Sequence, residues 1–217
     1  ETKNIAPFTT MKRPTQYSRH SIAALVLLAV SVLTAQAQDW PSRPITLMIG
    51  YPAGSGLDVV ARTLQEPLEK VLNTRIITDY KAGASGNLGV DVIAKAAPDG
   101  YTIGLITAST HGVSPAMGNK LPYDPVDDFK PISMIGGAPY VLVMYTGLPI
   151  TTIPDLIREA KAKPGKLTYG SAGNGSVSHL ASELMKTFLR VSMVHVPYQG
   201  GAPAINDLLG GHVAFVI

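Results

Sequence analysis

Two short stretches of this chain have the residues to hold an anion. The first is Tyr51-Pro52-Ala53-Gly54-Ser55-Gly56, which follows the apolar run Ile45–Gly50 and precedes a helix predicted from Leu57 to about Leu72. The second is Ser171-Ala172-Gly173-Asn174-Gly175-Ser176, between Leu167–Gly170 and a helix predicted from Val177 to about Leu189. A strand that runs through a glycine-rich loop into a helix presents unpaired backbone N–H groups at the positive end of the helix dipole. Either loop alone reads as a tight turn with glycines at positive φ, Gly56 and Gly173 among them. Two loops in matching contexts, far apart in the chain, predict two lobes gripping one acidic ligand.

The loops are not phosphate cradles of a known kind. Neither ends in Gly-Lys-Ser/Thr, and the third glycine of Gly-x-Gly-x-x-Gly is replaced by Val59 in one and Ser178 in the other. A carboxylate is the better-suited anion. Asp58, in the first helical turn, suits a capping or dipole role and could also receive a ligand amine or hydroxyl. Of the five histidines, none makes a His-Glu-x-x-His pair. His195, between Val194 and Val196, reads as structural, whereas His111 and His179 lie in or just after loops and can reach a ligand. No Gly-x-Ser-x-Gly elbow occurs, and no Asp–His partnership can be read around Ser171 or Ser176. Their hydroxyls read as hydrogen-bond donors or helix caps. A secreted α/β hydrolase using one of these serines is the rival from another class. The absence of cysteine excludes disulfides, thiolate catalysis and cysteine-held metal.

The 217 residues carry a formal charge of +3. That excess sits in residues 1–37, with Lys3, Lys12, Arg13 and Arg19 against Glu1; beyond them 14 bases balance 14 acids. No basic stripe interleaved with aromatics remains, which argues against nucleic-acid binding. The basic segment from Met11, the apolar run Ile22–Leu33 and Ala35-Gln36-Ala37 read as a secretory signal cleaved before Gln38. The apolar run is short for a bilayer span.

The elements that must position the two loops alternate along the chain. A helix over 57–72 would bury Val60, Leu64, Leu68 and Val71 and bend at Pro67. Arg75–Asp79 reads as a strand, and the turn Ala82–Gly86 leads to a helix carrying Leu88, Val92, Ile93 and Ala96. Thr102–Thr107 is a third strand, and its loop Ala108-Ser109-Thr110-His111-Gly112 faces the end where ligands sit in open α/β sheets. Ile132–Gly136 and Tyr140–Tyr145 read as apolar stretches joined through Gly137-Ala138-Pro139, where the chain crosses between lobes. A helix Pro154–Ala162, the second strand–loop–helix unit, a strand Val194–Pro197, a helix Ala202–Leu209 and a strand Val213–Ile217 follow. This order predicts a two-lobed α/β protein, with upstream residues and signal over 1–37, one lobe over 38–138 and another over 139–217.

The chain resembles the solute-binding receptors of tripartite tricarboxylate transporters, the Bug-type periplasmic proteins. The resemblance rests on Trp40-Pro41-Ser42-Arg43-Pro44-Ile45, Tyr51-Pro52-Ala53-Gly54 through Asp58, Ala96-Ala97-Pro98-Asp99-Gly100-Tyr101-Thr102 and Leu121-Pro122-Tyr123-Asp124-Pro125. It continues through Ala162-Lys163-Pro164-Gly165-Lys166-Leu167, Ser171-Ala172-Gly173-Asn174-Gly175 and Val194-His195-Val196-Pro197-Tyr198. It implies a flytrap fold closing on a small organic carboxylate, with no catalysis, no cofactor and no metal. Ligand contact is carried onto Tyr51, Ala53, Gly54, Ser55, Gly56 and Asp58; onto Ser109, Thr110 and His111; onto Ser171, Ala172, Gly173, Asn174 and Ser176; and onto Gly201 and Ala202. The implied setting is a periplasmic monomer that delivers its ligand to membrane transporter subunits, or senses it without a transporter. Ser55 and Leu57 depart from the glycine and small hydroxyl residue common in the family, and Ala214 stands where aspartate is usual. The family continues past Ile217, so the second lobe and the return to the first are expected to be incomplete, and the chain alone is expected not to work as a receptor.

Overall fold

A computed structural model describes residues 39–217. The signal segment and the cleavage before Gln38 lie outside the described residues. In chain order the elements are β1 Ile45–Ile49, α1 Gly56–Leu72, β2 Ile76–Tyr80, α2 Asn87–Ala94 and β3 Thr102–Leu105. They continue with β4 Val143–Met144, α3 Ile153–Ala162, β5 Thr168–Ser171, α4 Val177–Leu189, β6 Val194–Pro197, α5 Gly201–Leu209 and β7 Phe215–Val216.

The first sheet is parallel, in the order β2-β1-β3, with Ile49 opposite Tyr80 on one side and Leu105 on the other. β1 is central because its apolar run can be covered on both faces, as buried parallel strands require. Its Ile45, Leu47 and Ile49 form a core with Ala61, Ile76 and Leu105, against which Leu57, Val60, Leu68 and Leu72 of α1 pack. α1 therefore turns Ala61 inward, and Val71, predicted on the buried face, is 83% exposed. Pro67 lies inside α1 without ending it. On α2 the buried residues are Gly89 and Val90, while Leu88 and Val92 are exposed. The reason is proximity. A Cβ on Gly89 would stand 2.5 Å from Gly50 Cα, so only glycine lets α2 lie this close to the end of β1.

The second sheet has the order β4-β7-β5-β6, with β5 parallel to both neighbours and β4 antiparallel to β7. Tyr169, Phe215, Leu156, Ala160, Leu167 and Met193 form its core. α5 covers it with Ala204 and Leu208 against Val213 and Val216. α3 starts on a reciprocal cap, in which Thr152 and Asp155 each accept from the other's backbone N–H.

One expectation changes. The loop after β3 is helical, a π-helical turn Ser109–Val113 running into an α-helical turn Ser114–Ala116. Ile132–Gly136 forms no strand, and of Tyr140–Tyr145 only Val143–Met144 pairs. Ile132 is 84% exposed and Met134 and Tyr140 are exposed too, whereas Leu142 and Met144 pack against the core of the second sheet.

Candidate functional site

The residues singled out from the sequence follow the C-terminal ends of β1, β3, β5 and β6. After β1, Gly54 adopts φ +80 and its N–H donates to Asp58 Oδ2 at 2.7 Å. Tyr80 donates its hydroxyl to Asp58 Oδ1 at 2.6 Å, and Arg62 Nε donates to the same oxygen at 3.0 Å. Ser55 is the N-cap of α1 and accepts the Asp58 N–H. Asp58 is 3% exposed, and the Gly54 N–H above all, then the Tyr80 hydroxyl, hold its carboxyl below the usual carboxylate range. These bonds give Asp58 the task of shaping the loop, with no oxygen left over for a ligand amine. Gly56 is the first residue of α1 and has no positive φ, which corrects the expectation of a left-handed turn there.

In the second loop Gly173 and Gly175 do take positive φ, at +124 and +74. Its amides are less free than the sequence implies. The Ala172 N–H donates to Ser178 Oγ at 3.1 Å, that of Gly173 to Ser171 Oγ at 3.1 Å, and that of Gly175 to His179 Nδ1 at 3.2 Å. The Ser176 N–H donates to the Gly173 carbonyl, while the Ser176 hydroxyl caps α4 by accepting the His179 N–H. The loop thus meets most of its own backbone requirements.

The turn after β3 reaches across to this loop. Ser109 Oγ accepts the N–H of Val177, the first residue of α4, at 3.1 Å. Thr110 is buried, with its hydroxyl on the Thr107 backbone and 3.0 Å from His111 Nδ1. His111 packs in a triangle with the rings of Tyr123 and Phe129, and its buried Nε2 has no partner among the described residues. Burial pushes the His111 pKa down, so the ring is neutral near pH 7.

Two residues were not picked out from the sequence. Ser85 Oγ donates to the Asn174 carbonyl, and the Ser85 carbonyl accepts the Tyr51 hydroxyl at 2.7 Å. The available signal was its glycine-flanked turn, Gly83–Gly86, at the C-terminal end of β2. His195, read as structural, stands with Nε2 2.6 Å from Ser171 Oγ and its ring stacked 4.1 Å from that of His179. The register of β6 on β5 brings it there, since His195 pairs with Tyr169 and Pro197 with Ser171. Burial, with His179 next in effect, pushes His195 down to about 4.

Gly201 and Ala202 open α5. Beside them is an open cleft of about 520 Å³, lined by Pro52, Ala53, Pro197, Tyr198, Gln199, Ala202, Pro203 and Asn206. Of the predicted ligand residues, Ala53 and Ala202 face this cleft, while Tyr51, Ser109, Ser171 and Ser176 are buried beside or beneath the loops. Among the described residues, no group of three His, Asp or Glu side chains is placed to hold a metal ion.

Two α/β lobes with their loops gathered at the strand ends define a periplasmic-binding-protein fold, and three solved structures share it. R. palustris Rpa4515 with adipate is 35% identical with a TM-score of 0.78, over 82% of this chain and 60% of that one. MatC (Rpa3494) from Rhodopseudomonas palustris with bound malate is 30% identical with a TM-score of 0.76, over 82% and 60%. The periplasmic binding protein BugD is 32% identical with a TM-score of 0.74, over 82% and 59%. Residues 60–217 match the tripartite tricarboxylate transporter family receptor, and the chain belongs to that family. It spans about 60% of the length of the curated relatives it matches.

Proposed function

We propose that this chain is the ligand-gripping part of a solute-binding receptor that, when complete, captures a small organic carboxylate in the periplasm and delivers it to tripartite tricarboxylate-type transporter subunits. One observation carries the reading. The loop before α4 meets the turns after β2 and β3 through the Ser85–Asn174 and Ser109–Val177 hydrogen bonds, so two sheets bring their strand ends and a helix N-terminus to one place. The lobes are read as 38–138 and 139–217. Solved relatives holding adipate and malate support the ligand class, and the predicted leader supports export. Closure of the lobes would expel water and strengthen the hydrogen bonds that hold the carboxylate. The test is native mass spectrometry of the complete exported receptor, followed by its calorimetric titration with adipate and malate. A co-purifying small acid or saturable binding is expected, and neither appearing would overturn the reading.

The Ser171–His195 contact is the observation that favours a hydrolase instead. Three features weigh against it. Ser171 is 1% exposed. Among the described residues no carboxylate bonds His195, because Glu183 is taken by the Tyr169 hydroxyl and Lys186 Nζ. An imidazole at about 4 is also a weak general base near pH 7. Turnover of generic esters that disappears in Ser171→Ala would establish the hydrolase.

A further inference from the structure

We propose that the stacked imidazoles of His195 and His179 are positioning residues that turn the loop amides of Gly173 and Gly175 inward, leaving the Asn174 N–H as the loop's donor to a carboxylate. The inference rests on the carboxylate reading above. From Ala172 to Val177, the N–H groups of Ala172, Gly173, Gly175, Ser176 and Val177 all have acceptors, and that of Asn174 has none among the described residues.

Both flanking amides are held, directly or through one hydroxyl, by the imidazole pair. His179 Nδ1 accepts from Gly175, so the neutral ring carries its proton on Nε2. Ser171 Oγ accepts from Gly173 and stands 2.6 Å from His195 Nε2, nearer than its other acceptor, the Gly173 carbonyl at 3.2 Å. The serine proton therefore points at His195, whose own proton lies on Nδ1. The rings stack at 4.1 Å and 19°. Tyr169 of β5 stacks on the other contact of His195 at 4.9 Å, and Glu183 and Lys186 of α4 are the charged groups that act on it.

The arrangement requires a neutral ring at His195, whose Nε2 takes the serine proton. Burial pushes His195 down to about 4, which agrees with that geometry. Acid that protonates His195 is thus expected to turn the Ser171 hydroxyl away and loosen the loop at Gly173.

The test combines amide hydrogen exchange at Gly173 and Gly175 with calorimetric titration by adipate and malate, near neutrality and in mild acid. In His195→Leu and His179→Leu, exchange at the matching glycine is expected to speed up and affinity to fall, each about tenfold for one lost hydrogen bond. His195→Gln and His179→Asn keep an acceptor where the ring nitrogen was, so each is expected to restore the lost protection and affinity. His195→Leu is also expected to lose the acid sensitivity that the parent chain shows at Gly173. Ser171→Ala frees the Gly173 amide without touching the stack, and it decides the matter if a leucine variant does not fold. Unchanged exchange in both leucine variants, or in Ser171→Ala, overturns the inference. So does acid sensitivity at Gly173 that persists in His195→Leu. The titrations are made on the complete receptor; if that binds neither acid the ligand class is refuted, while the exchange rates still decide the positioning role.

Discussion

Ser85 Oγ donates a 2.6 Å hydrogen bond to the carbonyl of Asn174, 89 residues further along the chain, and so ties the turn after β2 to the glycine loop before α4. Ser85 is held for this in a left-handed backbone at φ +56, next to Ala84 at φ +48. Non-glycine residues pay about 1–2 kcal/mol each for that conformation. The Tyr51 hydroxyl on the Ser85 carbonyl is one bond that fixes the turn.

Ser85→Ala removes this inter-lobe bond and keeps the bond from Tyr51. A neutral hydrogen bond contributes about 0.5–1.5 kcal/mol, so adipate affinity is expected to weaken about two- to tenfold with little change in melting temperature. Calorimetry and a thermal melt on the same variant check this. Unchanged affinity would show that the bond does not contribute to the gripping state.

The glycine loops, the alternation of strands and helices and the capping serines were legible because each follows from local chemistry. Ser85 was not, because its role depends on a partner from the other lobe. His195 reads as structural, and its exact contact was hidden for a related reason. Its place in the strand was clear, but its contact with Ser171 depends on the register of β6 on β5. On α1 the predicted face holds at Val60 and Leu68 and fails at Val71, and on α1 and α2 the small residues Ala61 and Gly89 are buried while Val71, Leu88 and Val92 stay outside. Apolar periodicity weights size and misses such close packing.

Gly173 and Gly56 are expected to respond oppositely to alanine. A Cβ on Gly173 would stand 2.7 Å from Ser85 Oγ and 3.1 Å from the Tyr198 carbonyl, at φ +124. Gly173→Ala is expected to reduce adipate affinity by about tenfold or more and to lower the melting temperature. Gly56 opens a helix and a Cβ there meets nothing within 4 Å. Gly56→Ala is expected to leave stability unchanged or to raise it by up to about 1 kcal/mol. Equal destabilisation of the two variants in urea titrations would contradict this account.

Asp58→Ala is expected to destabilise the first lobe by about 2–3 kcal/mol, because it strips the Gly54 N–H, the Tyr80 hydroxyl and Arg62 of one shared acceptor. The carboxyl of Asp58 titrates below its usual value of 3.8 in the fold. Its contribution is therefore fully present above the unfolded value and is lost as pH falls through the lowered folded one. Urea midpoints of parent and variant should converge in strong acid. A constant gap between them at every pH would assign the loss to packing alone.

His195 gives the acid response of the second lobe a different window. An unperturbed imidazole titrates near 6.5, and in the fold His195 is pushed down to about 4, mainly by burial. Between those values the unfolded chain binds more protons than the folded one, so stability falls as pH falls. The contribution is complete above about 6.5, shrinks through the interval and is spent once pH has passed below about 4. His111, also lowered by burial, adds a slope of the same sign from the first lobe. His195→Gln removes the His195 share and leaves that of His111. Urea midpoints of the variant should therefore fall less steeply between about pH 6.5 and 4 than those of the parent chain. Parallel curves would show that His195 is as easily protonated in the fold as in the unfolded chain, and that the stack on His179 does not hold it neutral.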